Sequence, residues 1–410
     1  MRVLFLSQYF WPEDFRANDI VMGLTERGHK VTVVTGLPNY PGGSFFEGYT
    51  FWRGSFREEW NGVEILRCPL FGRGQSSRLL LALNYVSFAI FCSLMLLFRR
   101  RNVDIAFCWM VSPITQVFPA IVAKYTLRVP LVLWVMDLWP DSLSASGRVQ
   151  SRHIINAMRK VTRWIYRRCD LILGQSRRFV SHIAEVGDLG SERVVYMPQW
   201  EPLAPSSDVD PTRIPSFRPG FKVVFTGNIG HSQDFLTVTE AARLLSGTVD
   251  VRWIIVGEGD ALPHLRERIE KFGLEDNFEL VGRYPYEAMK DFYSVADVLL
   301  ATLRPADAFS RTIPTKIQSY LASGTPLITA IDGEVAEIVG ESGAGFAVNA
   351  GDAAGLAEAI KRMAALTSEE RQRMGQRGTD YYHANFDREE LLDRLTALLK
   401  DEIEQQSQSR

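Results

Sequence analysis

Twice along this chain short apolar runs alternate with helical stretches, and a segment rich in proline and serine separates the two series. This is the pattern of a doubly wound parallel sheet, whose strands are buried on both faces and read as nearly unbroken apolar runs. The first series predicts strands at Val3–Ser7, Lys30–Thr35, Gly62–Arg67, Ile105–Cys108, Pro130–Val135, Leu171–Gly174 and Val194–Met197, with a helix at Asp19–Arg27. The second predicts strands at Lys222–Thr226, Val251–Val256, Phe278–Val281, Val298–Ala301 and Pro326–Thr329, with helices at Asp234–Leu245 and Ala261–Phe272. Pro202–Pro219 reads as a linker, and a helix at Glu389–Glu404 closes the chain before a disordered tail over 405–410. The expected domains are therefore 1–203 and 220–378, with a linker over 204–219. Two Rossmann-like α/β domains facing a central cleft offer the carboxyl ends of their strands to ligands. Epimerases and non-catalytic binders share that plan, so architecture alone does not give function.

Charge narrows the choice. Residues 1–205 hold 24 Lys+Arg against 16 Asp+Glu, while the remainder holds 22 against 32. A basic half suits an anionic partner: nucleic acid, a phosphate-bearing substrate or an anionic membrane. The basic half also contains Leu79–Phe98, twenty residues with only Asn84, Ser87 and Ser93 clearly polar, followed by Arg99, Arg100 and Arg101. Twenty apolar residues as a helix span about 30 Å, enough for a bilayer core. The flanking strands belong to one sheet, however, and a single span would place them on opposite sides of the membrane. The reading is a helix at the membrane surface, with Leu80, Leu83 and Phe91 toward lipid and the arginines on headgroups; a buried core helix is the alternative. A second basic cluster at Arg159, Lys160, Arg163, Arg167 and Arg168 repeats at helical spacing. Because the basic excess coincides with an apolar segment and not with a groove-reading motif, nucleic acid is set aside. Cys68, Cys92, Cys108 and Cys169 are widely spaced and form no Cys-x-x-Cys pair, which argues against a zinc site or disulfide framework. The opening Met1–Leu6 is too short for a signal sequence and reads as a strand, so a cytoplasmic location is expected.

Several segments carry residue types suited to chemistry. Phe225-Thr226-Gly227-Asn228-Ile229-Gly230 runs from a strand into a helix, where glycines let a ligand approach the backbone and the helix N-terminus favours phosphate. Val256-Gly257-Glu258-Gly259-Asp260 is a second, weaker turn of that kind. Neither is a dinucleotide fingerprint or a Walker loop. Lys316 falls in the first turn of a predicted helix, where a cation opposes the macrodipole; an anion such as pyrophosphate between the two resolves the conflict. Asp137, just past a strand in Trp134–Asp141, can bind a hydroxyl, accept a proton or merely cap the following turn. The loop from Tyr9 to Arg16 is crowded with aromatics and charges, including Trp11 and Glu13, and suits acceptor binding with Glu13 as a base. Trp139 joins Tyr9, Trp11 and Arg16 as an acceptor-binding candidate. Asp208-Val209-Asp210 lies in the linker and is read as a chance Asp-x-Asp, and the scattered histidines give no metal spacing; His231 alone falls near the presumed site.

Together the segments Ser7–Pro12, Arg27–Val33, Pro38–Pro41, Phe225–Gly230, Ile255–Gly259, Ala296–Val298 and Leu321–Pro326 resemble retaining glycosyltransferases of family 4, over nearly the whole chain. The nearest likeness is to the fucosamine-type transferases of bacterial O-antigen and colanic-acid assembly. The resemblance implies a GT-B fold, a nucleotide diphosphate sugar donor held by the C-terminal domain, no required metal, and retention at the anomeric carbon. It implies pyrophosphate contacts from Gly227, Asn228 and Lys316, a base near Arg283 and Tyr284, and a C-terminal helix over 379–404 crossing back to the first domain. A UDP donor follows from family frequency, and N-acetylfucosamine or a related HexNAc from the nearest likeness. The implied acceptor is a glycan on a lipid-linked polyprenyl diphosphate at the inner face of the plasma membrane, in surface polysaccharide synthesis. One departure stands out. Many members carry Glu-x7-Glu before a Gly-x-Pro turn, the second Glu binding the donor ribose; here those positions are Arg311 and Ser319. Arg311 instead adds positive charge near the phosphates. A nucleotide-sugar epimerase and a non-catalytic membrane-associated subunit remain as rivals, separated from a transferase by donor turnover and by dependence on a lipid acceptor.

Overall fold

A computed structural model describes residues 1–51, 56–74, 77–98, 102–145, 149, 151–201 and 209–408. The chain forms two compact units. The first comprises Met1–Ser144, Val149–Pro198 and Glu389–Arg410; the second is chiefly Gln199–Arg388.

In the first unit the elements run β1 (Arg2–Leu6), α1 (Arg16–Glu26), β2 (Lys30–Gly36), β3 (Arg57–Trp60), β4 (Val63–Cys68), α2 (Arg78–Phe98), β5 (Ile105–Met110), α3 (Val117–Leu127), β6 (Leu131–Val135), α4 (Asp141–Ala145), α5 (Arg152–Tyr166), β7 (Leu171–Gly174), α6 (Arg177–Gly187) and β8 (Val194–Tyr196). Its sheet has the order β3-β4-β2-β1-β5-β6-β7-β8, parallel except for the β3–β4 pair. β3 was not foreseen: Arg57–Trp60 alternates half-buried and exposed residues at the sheet edge, so it lacks the continuous apolar signal of the buried strands.

The second unit runs β9 (Phe221–Thr226), α7 (Phe235–Leu245), β10 (Val251–Val256), α8 (Leu262–Phe272), β11 (Phe278–Gly282), α9 (Met289–Ser294), β12 (Val298–Thr302), α10 (Asp307–Ser310), α11 (Thr315–Ala322), β13 (Leu327–Ala330), α12 (Glu334–Ser342), β14 (Gly345–Val348), α13 (Ala353–Ala365) and α14 (Ser368–Phe386). Its strands lie in the order β11-β10-β9-β12-β13-β14, all parallel. Strand order therefore reverses at β9/β12 here and at β1/β5 in the first unit, the positions where such sheets open a crevice for ligands. β14, again at an edge and half-exposed, escaped the sequence pattern.

The chain end differs from expectation. α14 stays with the second unit through Phe386, and α15 (Arg388–Gln408) alone belongs to the first, remaining helical where a disordered tail from 405 was expected. The second unit also takes in Gln199–Glu201, which were assigned to the first domain. α15 is held by shape and charge. Gly23 of α1 has no side chain, and a Cβ there would lie 2.4 Å from a methyl of Leu392. Arg27 is ion-paired with both Glu389 (2.9 Å) and Asp393 (2.6 Å).

Candidate active site

In the second unit the ends of β9, β10 and β11 are tied together by their own backbones. Gly227 N–H donates to Val256 O (2.9 Å), Gly257 N–H to Gly282 O (2.8 Å) and Ile229 N–H to Glu258 O (2.8 Å). Gly257, at φ +145°, has no room for a side chain, since a Cβ would stand 1.9 Å from Gly227 O. The missing side chain lets two turns touch. Gly227, at φ +127°, and Asn228 are exposed at the end of β9.

Lys316 comes to the same place from the first turn of α11. Its ammonium is 3.3 Å from the position a Cβ on Gly227 would occupy, lies 3.6 Å over the ring of Phe225, and donates to Gln233 Oε1 (3.0 Å). Among the described residues it forms no ion pair, and desolvation draws its pKa down to about 7. A desolvated cation with only a neutral amide and a ring face around it is a place where an anion gains more than it would in water. Tyr320, one turn further along α11, fixes the geometry: its hydroxyl accepts from Thr226 N–H (3.0 Å) and bonds Thr226 Oγ1 (3.2 Å), so the helix is stapled to the end of β9. Burial pushes the Tyr320 phenol up to about 12, which keeps it neutral.

One residue before Tyr320 on the same helix, Ser319 donates to the carboxylate of Glu201, which also accepts from the Tyr286 hydroxyl; the Glu201 backbone N–H donates to Tyr382 Oη (3.1 Å). The resemblance expected a glutamate at position 319. The structure sets a carboxylate against that position from a residue 118 places earlier. No local motif marks Glu201, and only its position just before the Pro/Ser-rich stretch distinguishes it in the sequence.

The remaining donor-side candidates are less converged. Arg283 is exposed just beyond Gly282, whereas Tyr284 turns inward and meets Phe292 edge-on at 5.0 Å. Arg311 ends α10 and opens the loop to α11. His231 is exposed in the short turn before α7. Asp208 lies outside the described residues, and Asp210 caps the turn Pro211–Arg213 by accepting from Thr212 N–H (3.0 Å).

In the first unit the candidate acceptor residues pack mainly against neighbouring residues of the same unit. Tyr9 is buried, stacks on Phe15 at 5.0 Å, and accepts a hydrogen bond from Arg73 (3.2 Å). Trp11 stacks on Trp60 at 6.0 Å, and its carbonyl accepts from Arg67 (2.7 Å). Arg16 opens α1, half-buried. Glu13 is buried, and its Oε1 accepts from both Asn39 N–H (2.8 Å) and Tyr40 N–H (2.7 Å); burial raises its pKa to about 7. That arrangement clamps two loops together. Asp137 Oδ2 accepts from the indole N–H of Trp139 (3.1 Å), which also reaches Ser112 Oγ (3.1 Å). Trp139, an acceptor-binding candidate, is itself buried. The sequence reading missed Trp109 on β5, beside the β1/β5 switch point. Its indole N–H is buried without a hydrogen-bond partner among the described residues.

α2 inverts the usual pattern. Its polar residues Asn84 and Ser87 point inward: Asn84 bonds Gln8 (2.8 Å) and Phe71 O (2.7 Å), and Ser87 Oγ accepts from Phe71 N–H (3.0 Å). Phe88, Cys92 and Leu96 fill the core. Leu83, Val86, Ile90, Leu94 and Leu97 face out at 41–52% exposure, with Leu80 beside them. Phe91 is half-buried against Phe51 (5.8 Å), and Arg99, Arg100 and Arg101 lie outside the described residues.

Two family models match the chain: a glycosyl transferase 4-like domain over residues 15–200 and a glycosyl transferases group 1 domain over 220–365. A chain named as the colanic acid biosynthesis glycosyl transferase WcaI of Escherichia coli (strain K12) is 27% identical over 76% of this chain and 78% of its own length. Among solved structures, sucrose-phosphate synthase of Thermosynechococcus elongatus superposes with a TM-score of 0.73 at 15% identity, over 98% of each chain. HepE of Anabaena, in complex with UDP and glucose, gives 0.67 at 15% identity, over 98% of this chain and 100% of its own. At that identity the structural likeness speaks to the fold.

Proposed function

Because the chain belongs to the GT-B glycosyltransferases with a 4-like and a group 1 domain, we propose that it transfers a sugar from a UDP-linked donor to a lipid-linked polyprenyl diphosphate glycan in bacterial surface polysaccharide synthesis, with retention of anomeric configuration. The observation that carries the donor half is the desolvated Lys316 ammonium beside the exposed Gly227 turn at a strand switch point. In this reading the donor diphosphate lies between them, with backbone N–H groups of the Gly227-Asn228 turn on one side and the ammonium on the other. Departure of the nucleoside diphosphate concentrates negative charge on the β-phosphate, and a cation already held in place stabilises that charge without reorganising. Lys316 supplies this in place of a divalent cation. Glu201, aligned by Ser319 and Tyr286, accepts a ribose hydroxyl, and Arg283 flanks the base. Asp137, oriented by the Trp139 indole, assists the acceptor hydroxyl.

The sugar is a HexNAc, N-acetylfucosamine on the nearest resemblance, and WcaI points to an exopolysaccharide context. α2 rests its outward leucines on the cytoplasmic face of the membrane, where a polyprenyl diphosphate acceptor resides. Titration calorimetry with UDP, GDP, ADP and CMP tests the donor half. Selective binding of UDP supports it, and absence of binding to every nucleotide would overturn it. Anomeric NMR of the product of a lipid diphosphate assay tests acceptor and retention.

A further inference from the structure

α5 carries Arg152, Arg159, Lys160 and Arg163 and no aspartate or glutamate, with Arg167 and Arg168 directly after it. The structure sorts these cations. Arg159 is paired with Asp141, while Arg163 and Arg167 share Asp188, so each of those three has a carboxylate partner on the protein's own surface. Lys160 is exposed and Arg168 half-buried, and neither forms an ion pair among the described residues; the Arg168 guanidinium lies 3.6 Å over the ring of Trp164. Beside them Ile154, Val161 and Trp164 are 52%, 38% and 39% exposed. Their spacing puts them on one side of the helix, bordering the face that Thr162, Ile165 and Tyr166 turn into the core.

α3 joins this stripe to α2. The Phe118 ring is 5.7 Å from that of Trp164. Phe118 also lines, with Ile90 and Leu94, a groove of about 440 Å³ whose lining residues bear no charge, only the hydroxyls of Ser93 and Thr115. A contiguous apolar surface spread over three helices exceeds what scattered exposed residues produce and marks an interaction face. Cations that form no ion pair among the described residues, beside a half-exposed tryptophan, match the level of lipid phosphates, with hydrocarbon beneath. The uncharged groove suits a hydrocarbon chain.

We propose that α3 and α5 complete the membrane-docking surface begun by α2, so that the first unit lies on an anionic phospholipid leaflet with Lys160 and Arg168 on headgroup phosphates, Val161 and Trp164 at the interface, and an acyl chain in the α2–α3 groove. This rests on the membrane reading of α2 given above. The test is sedimentation of the purified full-length chain with phosphatidylcholine vesicles, with and without phosphatidylglycerol, at low and high salt. The wild type binds the phosphatidylglycerol vesicles more tightly, and salt weakens that preference. Each surface cation contributes about fivefold to anionic binding, so Lys160→Gln with Arg168→Gln lowers it about 25-fold and leaves binding to neutral vesicles unchanged. Circular dichroism melts of the same samples show that the variants are folded. If the double variant binds anionic vesicles like the wild type while Leu83→Glu with Ile90→Glu abolishes binding, the α5 proposal falls and the α2 reading stands. If the wild type binds neither vesicle, both fall. A stable dimer in light scattering, dissociated by Trp164→Ser, would assign the face to a second copy and overturn the proposal.

Discussion

Replacing Lys316 by alanine separates its electrostatic role from its structural one. In the free protein the ammonium touches the Phe225 ring and one neutral amide. A cation–π contact at a partly buried site is worth about 1 kcal/mol and is offset by relief of desolvation, so the thermal midpoint should barely move. A diphosphate oxygen between the ammonium and the Gly227 turn makes a charge-assisted hydrogen bond of about 1.5–3 kcal/mol, so the UDP dissociation constant should rise about 10- to 150-fold. The pH dependence is a sharper signature. The lysine's pKa is lowered to about 7 in the free protein, and a bound diphosphate raises it again. The wild-type affinity gain is therefore fully present below about pH 7 and declines by up to about tenfold per pH unit above it, until the bound-state pKa is passed. Calorimetry across that range in buffers of different ionisation enthalpy measures both the slope and the proton uptake. Lys316→Ala should lose this part of each. If the variant binds UDP within twofold of wild type, or keeps the slope above neutrality, Lys316 does not hold the diphosphate.

Glu201→Gln should raise the donor KM about tenfold or more and leave kcat nearly unchanged, because a ribose contact is made equally in ground and transition states; unchanged steady-state kinetics would remove Glu201 from the site. Glu13 has its folded pKa raised from 4.5 to about 7 by burial, so the folded state binds more protons than the unfolded one in that window and stability falls as pH rises through it, by up to about 3 kcal/mol. Glu13→Gln keeps an acceptor for Asn39 and Tyr40 N–H and should flatten that slope in denaturant titrations; a slope equal to wild type would refute the assignment. Gly257→Ala forces a Cβ into Gly227 O and should lower the melting temperature and UDP binding together, and loss of binding at an unchanged melting temperature would return Gly257 to a direct contact role.

The alternation of apolar runs and helical stretches determined both sheets, because a strand buried on two faces must be apolar along its length whatever surrounds it. β3 and β14 went unread because edge strands are free of that demand. The Gly227 turn and Lys316 were legible for a local reason: a glycine beyond a strand and a lysine opposing a helix dipole are both locally unfavourable choices that a ligand explains. What only the tertiary structure decided concerns pairs of distant residues. Sequence spacing cannot tell that Glu201 reaches Ser319, that Gly257 packs against the Gly227 carbonyl, or that the Trp139 indole N–H meets Asp137 and Ser112. Nor can it tell which way α2 turns. A nearly uniform apolar helix has little amphipathic signal, so its orientation was settled by Asn84 and Ser87, which find their hydrogen-bond partners inside the fold and leave the leucines outside.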